Sequence, residues 1–137
     1  MIYGIMLILM LALGCSSGDT AEKKEPIILK PQVEVNENTI SFKLEAKRNY
    51  LPEGEYLPDS EAFRVEVFRN KAKIWDSSEG KMFMTVIGKV KPQKKGETHI
   101  YKMTWNPEKK LTGKFTAKMI IPSKPEPYVS ITEFEIK

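Results

Sequence analysis

The sequence predicts an all-β domain, a sandwich of short antiparallel strands, and three observations carry that prediction. Apolar and polar residues alternate through several short stretches, the period of a half-buried strand. Turn-forming residues punctuate those stretches at roughly 8–12-residue intervals, the spacing of sandwiches and barrels. No window of twelve or more residues keeps the i, i+3, i+4, i+7 apolar pattern of an amphipathic helix.

The strands follow one another in chain order. Asn36-Glu37-Asn38 separates a strand near 32–35 from one over 39–46, in which Ile40, Phe42 and Leu44 alternate with Ser41, Lys43 and Glu45. Tyr50 to Glu61 is the longest stretch without strand character. Phe63, Val65 and Val67 then alternate with Arg64 and Glu66, and Asn70-Lys71-Ala72 joins that strand to Lys73–Asp76 at hairpin spacing. Ser77-Ser78-Glu79-Gly80 reads as a turn, with Gly80 free to take positive φ. Lys94-Lys95-Gly96 is a further turn, after which His99, Tyr101, Met103 and Trp105 share one face of a strand. Asn106-Pro107-Glu108 ends it, and Phe115, Ala117 and Met119 mark the next strand. Pro122, Pro125 and Pro127 form a loop before a last strand with Val129 and Ile131 inward, and a register change near Glu133 brings in Phe134 and Ile136. Seven or eight such strands in the folded part, residues 26–137, suit an immunoglobulin-like antiparallel β-sandwich. A chain of that size buries enough surface to be stable without disulfides.

The N-terminal segment has a different character. Met1 to Gly14 holds no charge and Ile2 to Leu13 is almost wholly apolar. A run of that length is too short to span a bilayer, which takes ~20 residues, and it matches the apolar region of a secretory signal peptide. Leu11-Ala12-Leu13-Gly14-Cys15 resembles the bacterial lipobox. That resemblance implies a lipid anchor on the Cys15 thiol, cleavage before Cys15, and an exported protein held at the membrane of the cell envelope. Two or more acyl chains give stable anchoring where one gives only marginal binding. Residues 16–25 (SSGDTAEKKE) are small and polar and cannot bury enough apolar area to order themselves. The expected organisation is a signal peptide over 1–14, a lipidated Cys and flexible tether over 15–25, and the sandwich over 26–137.

Composition narrows the chemistry. The 137 residues carry one Cys and one His, so a disulfide framework and a Cys/His zinc site are excluded. Catalysis by a His paired with a nucleophile would have to use His99, and no nucleophile elbow or Ser-x-x-Lys motif stands in a suitable context. Glu53, Glu55, Asp59 and Glu61 crowd one loop without EF-hand spacing and read as a solvated acidic loop. Lys81 to Lys102 holds six lysines against Glu97 alone, a local charge of +5, whereas Asn36 to Glu66 balances four basic residues against seven acidic ones, or −3. That asymmetry reads first as a charged, solvated face; the alternatives are orientation on an anionic membrane surface or steering to an acidic partner. With three arginines among 22 basic residues, the chain lacks the side chain suited to bidentate phosphate and base contacts, and no nucleic-acid partner is expected. No enzyme activity, metal or cofactor is expected either.

Several motifs resemble one family. Phe63-Arg64-Val65-Glu66-Val67-Phe68, Lys73-Ile74-Trp75-Asp76 and Gly80-Lys81-Met82-Phe83 are similar to the centre of the intracellular proteinase inhibitor (BsuPI-like) domain. There a strand, a turn, a Val/Ile-Trp pair, a polar turn and a Phe-containing strand follow in order. Val90-Lys91-Pro92, Gly96-Glu97 and Tyr101-Lys102-Met103-Thr104-Trp105-Asn106 resemble its L-x-P-G-E and Y-x-x-x-W-D segment. Leu111 to Ala117 resembles its P-x-G-x-Y approach to a late strand, and Ile131 to Ile136 its last strand. Pro58-Asp59-Ser60-Glu61-Ala62 stands where the family has Ser-Gly-Gln-x-Tyr-Asp. The resemblance, over about residues 63–136, implies an immunoglobulin-like sandwich with Trp75 and Trp105 in its core. It also implies a protease-inhibiting or protein-binding role; together with the lipobox, the expectation is a membrane-anchored, non-catalytic module that binds an envelope protein, a protease among the candidates. The alternative is an assembly role through a sheet edge or face. The loops expected to meet a partner are Tyr50–Glu61 and Ser77–Lys81, with Tyr50, Leu51, Glu55, Tyr56, Ser77, Ser78 and Lys81 as contact residues.

Overall fold

A computed structural model of the chain describes residues 25–137. The expected signal peptide (1–14), Cys15 and all but the last residue of the expected tether lie outside the described residues. Seven strands form: β1 Ile27–Asn36, β2 Thr39–Arg48, β3 Arg64–Arg69, β4 Ala72–Asp76, β5 Thr98–Trp105, β6 Gly113–Ile121 and β7 Tyr128–Ile136. They make two antiparallel sheets, ordered β1-β2-β5 and β4-β3-β6-β7. The β2–β3, β4–β5 and β5–β6 connections cross from one sheet to the other, as in a Greek-key sandwich.

Alternation explains the core. On β2 the side chains of Ile40, Phe42, Leu44 and Ala46 are buried between the sheets while Lys43 and Lys47 are exposed. Val65 and Val67 of β3 and Phe115, Ala117 and Met119 of β6 meet them from the opposite sheet. Trp75 stacks against both Phe42 (5.9 Å between ring centres) and Trp105 (5.1 Å), so both indoles pack into the core and close the gap between the β4 and β5 edges. On the other side β1 and β7 run beside each other. The β3–β4 hairpin turns at Asn70 (φ 50°) and Lys71 (φ 72°). Positive φ at both central residues is the type I′ geometry whose twist matches that of the strands.

Three sequence expectations are corrected. β7 pairs with β6 in one unbroken register from Tyr128↔Ile121 to Ile136↔Gly113, with no shift near Glu133. Tyr128, Phe134 and Ile136 therefore share the inward face, and Val129 and Ile131 are exposed. The longest irregular stretch is the β4–β5 connection over 77–97, where the family resemblance implies a Phe-containing strand; instead of a strand it forms an isolated bridge to another loop, Leu57↔Gly88. The acidic loop is not uniformly solvated: Glu53 is exposed, but the Glu55 and Glu61 side chains are 4% and 5% exposed because each meets a guanidinium, Arg48 and Arg64.

Strand direction sorts the connections into two ends. The tight β1–β2 and β3–β4 turns and the β5–β6 connection lie at one end. The other end gathers the start of β1, the β2–β3 connection (49–63), the β4–β5 connection (77–97) and the β6–β7 connection (122–127).

Candidate functional site

The loop-rich end is organised by one buried cation. Arg48 is the last residue of β2 and falls on the inward face after Ile40, Phe42, Leu44 and Ala46. It is 1% exposed. A guanidinium carries five N–H donors, and here they meet five acceptor atoms. Nε donates to Pro92 O (2.6 Å), Nη1 to Tyr50 O (3.1 Å) and Glu55 Oε1 (3.3 Å), and Nη2 to Glu55 Oε2 (2.8 Å) and Val90 O (3.4 Å). The two carboxylate contacts form the planar fork that an arginine makes and a lysine does not. The Arg48 backbone adds two more ties: its N–H donates to Glu97 O (3.0 Å) and its carbonyl accepts from Gly96 N (2.8 Å).

Two tyrosines complete the network. The Tyr128 hydroxyl donates to Glu55 Oε1, and the Tyr101 hydroxyl donates to Lys91 O (2.6 Å). Burial raises the Tyr101 pKa to about 12 against the opposing effects of the Lys91 carbonyl contact and the Arg48 charge. Burial also raises the pKa of Tyr128, and the Glu55 carboxylate it faces raises it further.

The consequence is a short loop with a fixed base. Asn49 N and Tyr50 N donate to Pro26 O, the Tyr50 carbonyl and the Glu55 carboxylate are held by Arg48, and Tyr56 exchanges two backbone hydrogen bonds with Lys124 (3.1 and 2.8 Å). Between these pins the tip runs Leu51-Pro52-Glu53-Gly54, and Gly54 at φ +82° allows the chain to turn back. Tyr50, Leu51 and Tyr56 project into solvent. The loop borders an open cleft of about 770 Å³ whose wall includes Pro26, Tyr50, Pro52, Pro125 and Tyr128.

The residues expected to touch a partner therefore separate into two groups. Tyr50, Leu51 and Tyr56 are exposed on the pinned loop, and Glu55 lies beneath it as an anchor. Ser77 is buried and bonded to the Val65 backbone through both its own N–H and its Oγ, so its expected contact role is corrected to a structural one. Ser78 donates N–H and Oγ to Asp76 Oδ1, which closes the turn after β4, and Lys81 is exposed beyond it. Among the described residues no group of three or more His, Cys, Asp or Glu side chains converges as a metal site. His99 packs edge-on against Tyr101 (4.5 Å).

The sequence reading does not single out Arg48, although its signal is present. An arginine at the fifth inward position of an otherwise apolar alternation must find a buried partner. It also misses the exposure of Met82, Met84, Val86 and Ile87.

A comparison with curated proteins gives no match. The comparison with protein families gives one, over residues 27–126, to the model described as "BsuPI: Intracellular proteinase inhibitor". The match reaches further towards the N-terminus than the motifs suggest, taking in β1, β2 and the pinned loop, and it stops before β7. Spanning well over half of the chain, it shows that this protein belongs to the intracellular proteinase inhibitor family.

Proposed function

We propose that the chain is an exported, lipid-anchored and non-catalytic binding module that inhibits a protease through the loop Tyr50–Tyr56. The observation that carries this reading is the buried Arg48–Glu55 pair beneath that loop. A loop that must be ordered on binding loses affinity to conformational entropy, whereas a loop already fixed does not. Here the base is fixed by charge-assisted hydrogen bonds and the tip offers Tyr50 and Leu51 to a cleft. Aromatic and apolar anchors on a rigid support are the usual centres of binding energy at interfaces. Family membership supports a protease as the partner, and Cys15 would hold the module at the envelope membrane.

The test is a titration of purified proteases of several classes with the protein. Activity is expected to fall in proportion to added inhibitor for at least one of them, and Leu51→Ala or Tyr50→Ala to weaken that inhibition about tenfold or more. Inertness across the panel would overturn the reading. The anchor is tested separately by lipid labelling in cells, which a Cys15→Ala substitution is expected to abolish.

A second reading, assembly through a sheet edge, is supported by β5. Its outer edge pairs with no strand and receives no backbone hydrogen bond from the described residues. An extended segment of another protein could add there. Co-purification with an envelope complex, lost when a proline is placed in β5 at an outward-facing N–H, would favour it over inhibition.

A further inference from the structure

The β4–β5 connection carries a surface that the inhibitory loop does not use. Met82, Met84, Val86 and Ile87 are 97%, 69%, 54% and 73% exposed, a run of large apolar side chains in one ribbon. The ribbon is tied to the fold rather than free: Met84 N donates to Ser60 Oγ (2.8 Å), Met84 O accepts from Ser60 N (2.9 Å) and Gly88 exchanges two bonds with Leu57 (2.9 Å each). Its flanks are strongly basic. Between Glu79 and Glu97 stand Lys81, Lys89, Lys91, Lys94 and Lys95, all exposed, and no carboxylate.

Position adds a second constraint. Lys94, Lys95 and Gly96 are tied to the end of β2 by the Gly96 N to Arg48 O bond. The next residue of β2's exit, Asn49, bonds the carbonyl of Pro26, where the N-terminal segment joins the fold. The apolar ribbon, its lysines and the junction with residues 1–24 thus share one end of the sandwich. Residues 56–57 run between Lys124 and Gly88, so they separate this ribbon from the cleft beside Tyr50.

We propose that residues 81–95 form a membrane-contacting surface for an anionic phospholipid bilayer, with Met82, Met84, Val86 and Ile87 seated at the headgroup–acyl boundary and the five lysines among the phosphates. Exposed apolar side chains combined with flanking cations are the two ingredients of interfacial binding. The segment between Glu79 and Glu97 carries only positive charge, which complements an anionic headgroup layer. Docked in this way the domain is oriented and leaves the Tyr50 loop across the 56–57 ribbon free. The inference does not depend on the protease reading, and vesicle binding tests it without any protease.

All seven strands and the core lie within 27–136, so residues 16–137 contain the whole fold without Cys15 or the apolar leader. That chain is mixed with vesicles of phosphatidylcholine alone and of phosphatidylcholine with phosphatidylglycerol. Sedimentation with the anionic vesicles is expected, weakening as salt is raised. Joint Met82→Ser and Ile87→Ser substitution is expected to lower partitioning at least about tenfold. Joint Lys94→Glu and Lys95→Glu substitution is expected to lower anionic binding to the level of neutral vesicles. Ile131→Ser, at another exposed apolar position, on β7, is expected to change nothing. No sedimentation, or sedimentation that the ribbon substitutions leave intact, would overturn the proposal. So would ribbon substitutions that abolish protease inhibition without affecting vesicle binding, which would make the ribbon a protein contact.

Discussion

At the scale of single residues, Arg48 decides most of what the loop-rich end can do. A buried pair of charges adds little net stability, because desolvation offsets the attraction, but removing one partner strands the other. Arg48→Met leaves the Glu55 carboxylate, 4% exposed, without its cation, and unfolding in denaturant should show a loss of about 3–5 kcal/mol. Tyr101 gives a pH signature. Its phenol ionises at about 10 when unfolded and at about 12 when folded. The folded chain holds a proton that the unfolded chain has released between those values. This contribution is therefore complete below the lower value and is lost as pH rises through the higher one. Tyr128 acts in the same direction. Tyr101→Phe should lower stability at neutral pH by about 1 kcal/mol, through the lost bond to Lys91 O. It should also make the alkaline decline measured by thermal unfolding shallower, and an unchanged decline would count against burial as the cause.

At the scale of elements, the strands were the legible part. Period-two alternation at Ile40, Phe42 and Leu44, and again at Phe115, Ala117 and Met119, names inward faces that the sandwich does bury. The same alternation continues to Ala46 and Arg48, and there the chemistry changes while the geometry does not. That continuation is the trace of the candidate site in the sequence. On β7 the sequence points the wrong way because Val129 and Ile131 have apolar side chains, yet the register with β6 turns them outward and puts Tyr128, Ser130 and Thr132 on the other face. Hydrophobicity alone cannot fix register when a strand offers apolar residues on both faces. The 82–87 ribbon is illegible for a related reason: an apolar run broken only by Thr85 has no period that separates a buried strand from an exposed one. Trp75 is the test of the inter-sheet packing. Trp75→Ala removes its stacking on Phe42 and Trp105 and should cost about 3 kcal/mol, with the Trp105 fluorescence shifting towards that of a wetted indole on unfolding at lower denaturant.

At the scale of the whole molecule, the fold separates support from contact. The compact end has short turns, and the sheets carry the core. The opposite end holds the buried charge network, the pinned loop and the apolar ribbon, and it is the end at which the N-terminal segment joins. An anchor on Cys15 would therefore bring both proposed contact surfaces towards the membrane, within reach of a partner at that surface. In that proposal the ten residues between Cys15 and Pro26 would set the distance, spanning at most about 35 Å. The central claim is that a loop fixed from beneath by Arg48 and Glu55 binds a protease. Its most direct measurement is the titration of a susceptible protease with the wild-type protein and with Leu51→Ala, both shown to melt at the same temperature. A one-to-one loss of activity with the wild type, weakened about tenfold or more in the variant, is the predicted result. Inhibition that is equally strong in the variant, or absent from every protease tried, would contradict it.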